Sequence, residues 1–169
     1  MSNVSGQCLC GKVAYRMASE PTRTTVCYCR FCQRATGAAQ AILPVFPLAD
    51  LSLRQGQPDV YTHVSEGSGK EIYLHFCADC GTRLYMTFER WPGFVGLYSG
   101  TLDDPSVVRL DGDTAKQIFV SSARPGTVLL AGVPAYWNHA TTPAGAPEQA
   151  FVLDAPLAVE DLPSHRDRQ

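Results

Sequence analysis

The chain has 169 residues, 45% of them apolar and 18% charged, a length and composition that suit one globular domain with a sizeable core. A formal net charge of -2 and a sequence pI near 6.0 supply no electropositive face for a phosphate backbone, which argues against nucleic acid as a partner. The opening "MSNVSGQCLCGK" has neither the basic nor the apolar region of a secretory signal, and apolar runs such as "TVLLAGV" are too short to cross a bilayer, so a cytoplasmic protein with no membrane span is expected.

In chain order, "KVAYRMA" and "RTTVCYC" are short, β-branched and aromatic, and read as strands. "RFCQRATG" then reads as one short helix, with Gly37 as a left-handed cap. "AAQAILPVF", "DVYTHVS", "KEIYLHF", "TRLYMTF" and "FVGLYSGTL" follow as further strands separated by Gly, Pro, Ser or Asp clusters. Glu66-Gly67-Ser68-Gly69 suits a hairpin connection, and Cys77-x-x-Cys80-Gly81 comes at the end of that hairpin. From Ala123 onward, Pro and Gly interrupt any periodicity, which predicts loops wrapping the sheet, and the polar stretch 160–169 is expected to fray. The expectation is a single mainly-β domain over 1–169.

All seven cysteines fall in clusters: Cys8-x-Cys10, Cys27-x-Cys29-x-x-Cys32 and Cys77-x-x-Cys80. In a reducing compartment such spacings read as metal ligands rather than disulfides, because two thiolates one or two residues apart reach a single ion with Zn–S near about 2.3 Å. Two pairs make one closed tetrahedral set, and a trio makes a second with a vacancy. The preferred partition places Cys8, Cys10, Cys77 and Cys80 on one zinc and Cys27, Cys29 and Cys32 on another. Spacing alone leaves a second partition open. Cys29 and Cys32 would pair with Cys77 and Cys80 as in a zinc ribbon, although the 44 residues from 33 to 76 exceed the usual span of about 15 to 20.

The strings "GQCLCGKVAY", "CYCRFCQRATG", "HFCADCGTRLY" and "YSGTLDDP", in that order over roughly residues 6–105, resemble the glutathione-dependent formaldehyde-activating enzymes and their centromere protein V relatives. The resemblance implies a zinc-binding fold of the β-tent type. It also implies a structural zinc on Cys8, Cys10, Cys77 and Cys80, and a catalytic zinc on Cys27, Cys29 and Cys32. The activity it implies is that of a carbon–sulfur lyase joining glutathione to formaldehyde. Thiolate ligands already donate charge to the ion, so a soft incoming thiol suits the vacancy better than water does. Arg30 and Arg34 beside the trio are candidates to grip a substrate carboxylate by bidentate hydrogen bonds.

Other residues have simpler readings. His75 could supply a fourth ligand but reads first as an inward aromatic, and His63, His139 and His165 have no partner pattern. Asp103 and Asp104, between Gly100 and Pro105, look like turn formers rather than an acid/base pair. Trp91, Phe94, Tyr98 and Trp137 are core by default. Two other classes stay open: a zinc-stabilised interaction module, which requires a fourth protein ligand on the trio, and a methionine-sulfoxide-reductase-like enzyme using Cys29-x-x-Cys32 as a dithiol. Oligomeric state has no signature in the sequence.

Overall fold

Short runs of β-branched and aromatic residues cut by Gly, Pro and Asp favour brief strands over long helices, and the chain follows that preference. In the computed structural model, which describes residues 4–163, the strands are β1 (Val4–Gln7), β2 (Ala14–Met17), β3 (Arg23–Cys27), β4 (Ala41–Pro47), β5 (Leu51–Gln55) and β6 (Asp59–Val64). They continue with β7 (Glu71–Phe76), β8 (Arg83–Phe88), β9 (Phe94–Leu97), β10 (Ala115–Ile118), β11 (Val128–Leu129) and β12 (Leu157–Ala158). The single α-helix among the described residues is α1 (Arg30–Thr36), capped by Gly37 at φ 69°. The fold is mainly β, as expected, with short antiparallel pairings and a loop-rich C-terminal part. No described helix is long and apolar enough to cross a membrane.

The chain divides into two compact units, 1–24 with 42–109, and 25–41 with 110–169. In the first, β1, β2 and β5 form a three-stranded sheet, and β4, β9, β8, β7 and β6 lie side by side in that order. Its buried cluster includes Val4, Tyr15, Met17, Phe46, Leu84, Val95 and Leu97 together with Cys8 and Cys77. The hairpin turn behaves as expected: β6 and β7 pair antiparallel from Asp59↔Phe76 to Val64↔Glu71, and the Ser65 N–H donates to the Lys70 carbonyl at 2.9 Å. In the second unit β10 lies beside β3, β11 pairs with β12, and Val26, Tyr28, Gln117, Val120, Leu129 and Val133 are almost wholly buried.

Three differences from the sequence reading have physical causes. Strands β1, β5 and β10 ("VSGQ", "LSLRQ", "AKQI") are poor in β-formers, yet β1 and β5 are held by pairing with β2 on either side, so cross-strand contact overrides local propensity. Gly6 is the one residue that fits beside β2, because a Cβ there would collide with the Tyr15 hydroxyl and the Thr101 carbonyl. "FVGLYSGTL" ends its strand at Leu97, since the Thr101 hydroxyl and N–H both donate to the Tyr98 carbonyl at 2.8 and 2.9 Å and wind Ser99–Thr101 into a 3-10 turn. Finally, in the stretch expected to fray, residues 160–163 are largely exposed but anchored at two points. Leu162 is buried, and both Glu160 carboxylate oxygens accept from the Gly126 N–H at 3.0 and 3.1 Å. Residues 164–169, and with them His165, lie outside the described residues.

Candidate metal centres

In the first unit two tight loops present four thiols to one point. Cys8-x-Cys10 closes where the Gly11 N–H donates to the Cys8 carbonyl at 3.0 Å, and Cys77-x-x-Cys80 closes where the Gly81 N–H donates to the Cys77 carbonyl at 2.8 Å. Gly81 has φ 72° and open space where a Cβ would be, so backbone conformation rather than room requires glycine there. The sulfurs of Cys8, Cys10, Cys77 and Cys80 all lie within 4.8 Å of one another, with Cys8–Cys10 at 3.5 Å and Cys10–Cys77 at 3.7 Å. A tetrahedron with Zn–S of about 2.3 Å has S–S edges of about 3.8 Å, so this donor set fits zinc.

Hydrogen bonds brace the same two loops. The Val13 N–H donates to the Cys8 sulfur at 3.3 Å, and the Cys80 sulfur lies 3.2 Å from the Thr82 hydroxyl. That hydroxyl also accepts from the Leu9 N–H at 3.1 Å, which links one loop to the other. Hydrogen bonding from Thr82, through its hydroxyl and its backbone, holds the Cys80 thiol down to about 5.

In the second unit the sulfurs of Cys27, Cys29 and Cys32 also converge within 4.8 Å. Cys27 ends β3, Cys29 is the N-cap of α1 in extended conformation, and Cys32 lies one turn in. The Cys29 sulfur accepts from the Cys32 N–H at 3.3 Å, in the position a Ser or Asp cap would occupy. Cys27 and Cys32 are buried, while Cys29 is partly exposed. Hydrogen bonds from the Cys27 and Cys32 thiols hold Cys29 down to about 3, and the same sharing pushes Cys27 and Cys32 up. Of the three sulfurs, that of Cys29 is the accessible corner of the cluster. Among the described residues no fourth His, Cys, Asp or Glu joins this group.

His75 belongs to neither cluster. Its ring stacks on Tyr85 with centroids 4.3 Å apart, and its Nε2 is 3.0 Å from the Thr87 hydroxyl, consistent with an inward aromatic. Arg30 and Arg34 are both exposed on α1, and Arg30 donates to the Gln33 side chain. Asp104 caps the 3-10 turn Pro105–Val107 by accepting from the Ser106 N–H at 2.9 Å, and Asp103 accepts from the Ser5 hydroxyl at 2.6 Å. Both are structural, as their sequence context suggests. Tyr98 is buried, and Trp91, Phe94 and Trp137 are partly exposed.

Sequence reasoning missed Gln33 and Tyr28. Gln33 is buried and its amide donates to the Tyr28 carbonyl at 2.5 Å and the Ser122 carbonyl at 2.9 Å, while the Tyr28 hydroxyl donates to buried Gln117 at 3.1 Å. Gln33 follows Cys29 by one helical turn, a spacing that places it on the cysteine side of α1; nothing local marks Gln117.

Fold and site together define a mainly-β protein with two separate thiol clusters of metal-binding geometry. The chain belongs to the family of glutathione-dependent formaldehyde-activating enzymes, whose family model matches residues 3–122. A Halomonas elongata protein provisionally named a glutathione-dependent formaldehyde-activating enzyme is 27% identical over 103 residues, covering 59% of this chain and 66% of that protein. The match therefore spans just under two thirds of that relative. A crystal structure of a Rhodobacter sphaeroides protein overlaps 59% of this chain and 87% of its own, at 23% identity and a TM-score of 0.47.

Proposed function

We propose that the protein is a zinc-dependent carbon–sulfur lyase of the formaldehyde-activating type, joining glutathione or a similar thiol to a small aldehyde at the three-cysteine centre. In this reading Cys8, Cys10, Cys77 and Cys80 hold a structural zinc, and Cys27, Cys29 and Cys32 hold a catalytic one. The observation that carries it is the contrast in donor number: four convergent sulfurs in one unit, three in the other with no fourth protein ligand among the described residues. Structural zinc sites are closed, whereas catalytic ones keep a position for substrate. A zinc ion at the trio would supply a soft Lewis-acidic position that lowers the pKa of an incoming thiol.

The chain's own groups do the rest. Burial of Cys27 and Cys32 leaves approach to the centre on the Cys29 side. Gln33 ties α1 to the Tyr28 carbonyl and to Ser122, which fixes the cysteines while the substrate exchanges. Holding thiol and aldehyde together supplies rate without a separate general acid or base. Arg30 and Arg34, exposed on the helix that bears Cys32, are placed to meet a carboxylate of a peptide-like thiol.

The test is native mass spectrometry of the purified protein with and without glutathione, combined with a direct assay for S-(hydroxymethyl)glutathione formation from formaldehyde. Two zincs per chain, a glutathione adduct and formation faster than the spontaneous reaction are expected. Two zincs with no adduct and no acceleration would leave an interaction module instead. A cysteine that alkylates rapidly while both metals stay bound would favour the redox reading.

A further inference from the structure

Phe119 is the one non-glycine residue with positive φ among the described residues, at φ 59° and ψ 40°. A bulky side chain in the left-handed region is strained and persists where surrounding bonds over-determine it, most often at functional sites. Those bonds are specific here. Just before Phe119, the Ile118 carbonyl accepts from the Tyr28 N–H at 3.1 Å, between Cys27 and Cys29. Just after it, the 3-10 turn Val120–Ser122 ends with the Ser122 carbonyl accepting from Gln33, the neighbour of Cys32.

The arch 118–122 is therefore stitched at both ends to the loop that carries the three cysteines, with Phe119 between the stitches. From the other side the Phe119 N–H donates to the Asn138 carbonyl at 2.7 Å, and its ring lies 5.9 Å from the His139 ring. Phe119 remains partly exposed, as does Cys29, while Cys27 and Cys32 are buried. Gly or Asn would adopt this backbone with less strain than phenylalanine does.

The geometry points to Phe119 as a specificity-determining wall of the three-cysteine centre, held in a strained conformation so that its ring narrows the approach to Cys29. Slender thiols and small aldehydes pass, and aldehydes with bulky substituents do not. As a statement about substrate this rests on the lyase reading; as a statement about access to Cys29 it stands apart from it.

Phe119→Gly, Phe119→Ala and Phe119→Tyr separate the two. Thermal melts come first: glycine adopts this backbone freely and alanine does not, so Phe119→Gly should melt above Phe119→Ala. Next, the modification of Cys29 by small iodoacetamide and by a bulky aryl maleimide is followed by peptide mass, with buried Cys77 as internal control. The bulky-to-small rate ratio should rise several-fold at Cys29 in the Gly and Ala variants, stay near wild type in Phe119→Tyr, and not move at Cys77. A ratio unchanged in all three variants, a rise shared by Cys77, or Phe119→Ala melting at or above Phe119→Gly would overturn the inference. Turnover with formaldehyde and with benzaldehyde completes the test, and Phe119→Ala should gain on benzaldehyde relative to formaldehyde. If the wild type accelerates neither reaction while the Cys29 ratio still shifts, the lyase reading falls and the wall stands.

Discussion

The two cysteine clusters bring the same donor atom together in opposite ways. The four-cysteine cluster is assembled by two loops 67 residues apart in sequence, each closed on a left-handed glycine and tied to the other by a hydrogen bond at Thr82. The three-cysteine cluster is local, six residues from the end of β3 into the first turn of α1. A metal on the first would close a long loop and so contribute to folding. A metal on the second would close almost no loop, which under the proposed function leaves it for chemistry.

The largest effect that tests this contrast is loss of the long-range cluster. Structural zinc contributes on the order of 10 kcal/mol of apparent folding energy in small zinc domains, and Cys80 offers both one of the four convergent sulfurs and the contact with Thr82. Cys80→Ser is expected to unfold or aggregate, with loss of the cooperative thermal transition. Full zinc content and a cooperative melt in this variant would show that the cluster is not a folding staple.

Cys32→Ser should act differently. The helix keeps its cap at Cys29, the bonds of Gln33 and the Gly37 terminus, so the far-ultraviolet circular dichroism should hardly change. Zinc measured by plasma mass spectrometry should fall from two per chain toward one, and thiol–aldehyde addition should be lost. If Cys32→Ser unfolds as badly as Cys80→Ser, or keeps two zincs, the division of roles between the clusters is wrong.

The accessible corner of the trio gives a further distinction. A thiol entering as thiolate releases a proton, so apparent glutathione affinity should rise with pH until the thiol's own pKa of about 8.5 is passed. In protein whose trio is loaded with cobalt, glutathione should strengthen the sulfur-to-metal charge-transfer band, and an analogue with hydroxyl in place of thiol should not. Equal responses to both ligands would place the thiol elsewhere.

The clusters differ as much in how legible they were. Cysteine spacing announces the short turns, because C-x-C and C-x-x-C bring sulfurs toward one ion, but which pairs share a cluster is settled only where the four sulfurs of Cys8, Cys10, Cys77 and Cys80 converge. Gly37, Gly81 and the Glu66–Gly69 turn were legible for a related reason, since glycine marks where backbone must turn. Strands β1, β5 and β10 were not, because their residues pair only once neighbours are in place. Phe119 was the least legible: residue type argues against its backbone conformation, which exists through bonds to Tyr28, Asn138 and Gln33 near the site, far apart in sequence. Gln117, wholly buried with its amide donating to the Leu130 and Val133 carbonyls, is a polar residue that local pattern assigns to the surface.

The smallest effect sharpens the contrast from the far end of the hairpin that leads to Cys77. Glu89 accepts from the Lys70 ammonium at 2.6 Å and from the Glu71 N–H at 2.9 Å, and these bonds lower its pKa below the ordinary 4.5. A carboxylate depressed in the folded state contributes stability that is present above 4.5 and is lost as pH falls through the folded value. Glu89→Gln should therefore melt slightly below wild type at pH 7, a modest change because the ion pair is solvent-exposed. The gap should close only in buffer well below pH 4.5, where wild-type Glu89 protonates, and zinc content at neutral pH should stay at the wild-type level. A gap that persists unchanged below the depressed pKa would mean that Glu89 acts through packing rather than charge. A loss of zinc at pH 7 would mean that the hairpin's outer end is coupled to the four-cysteine cluster, and the staple would then extend the length of β7.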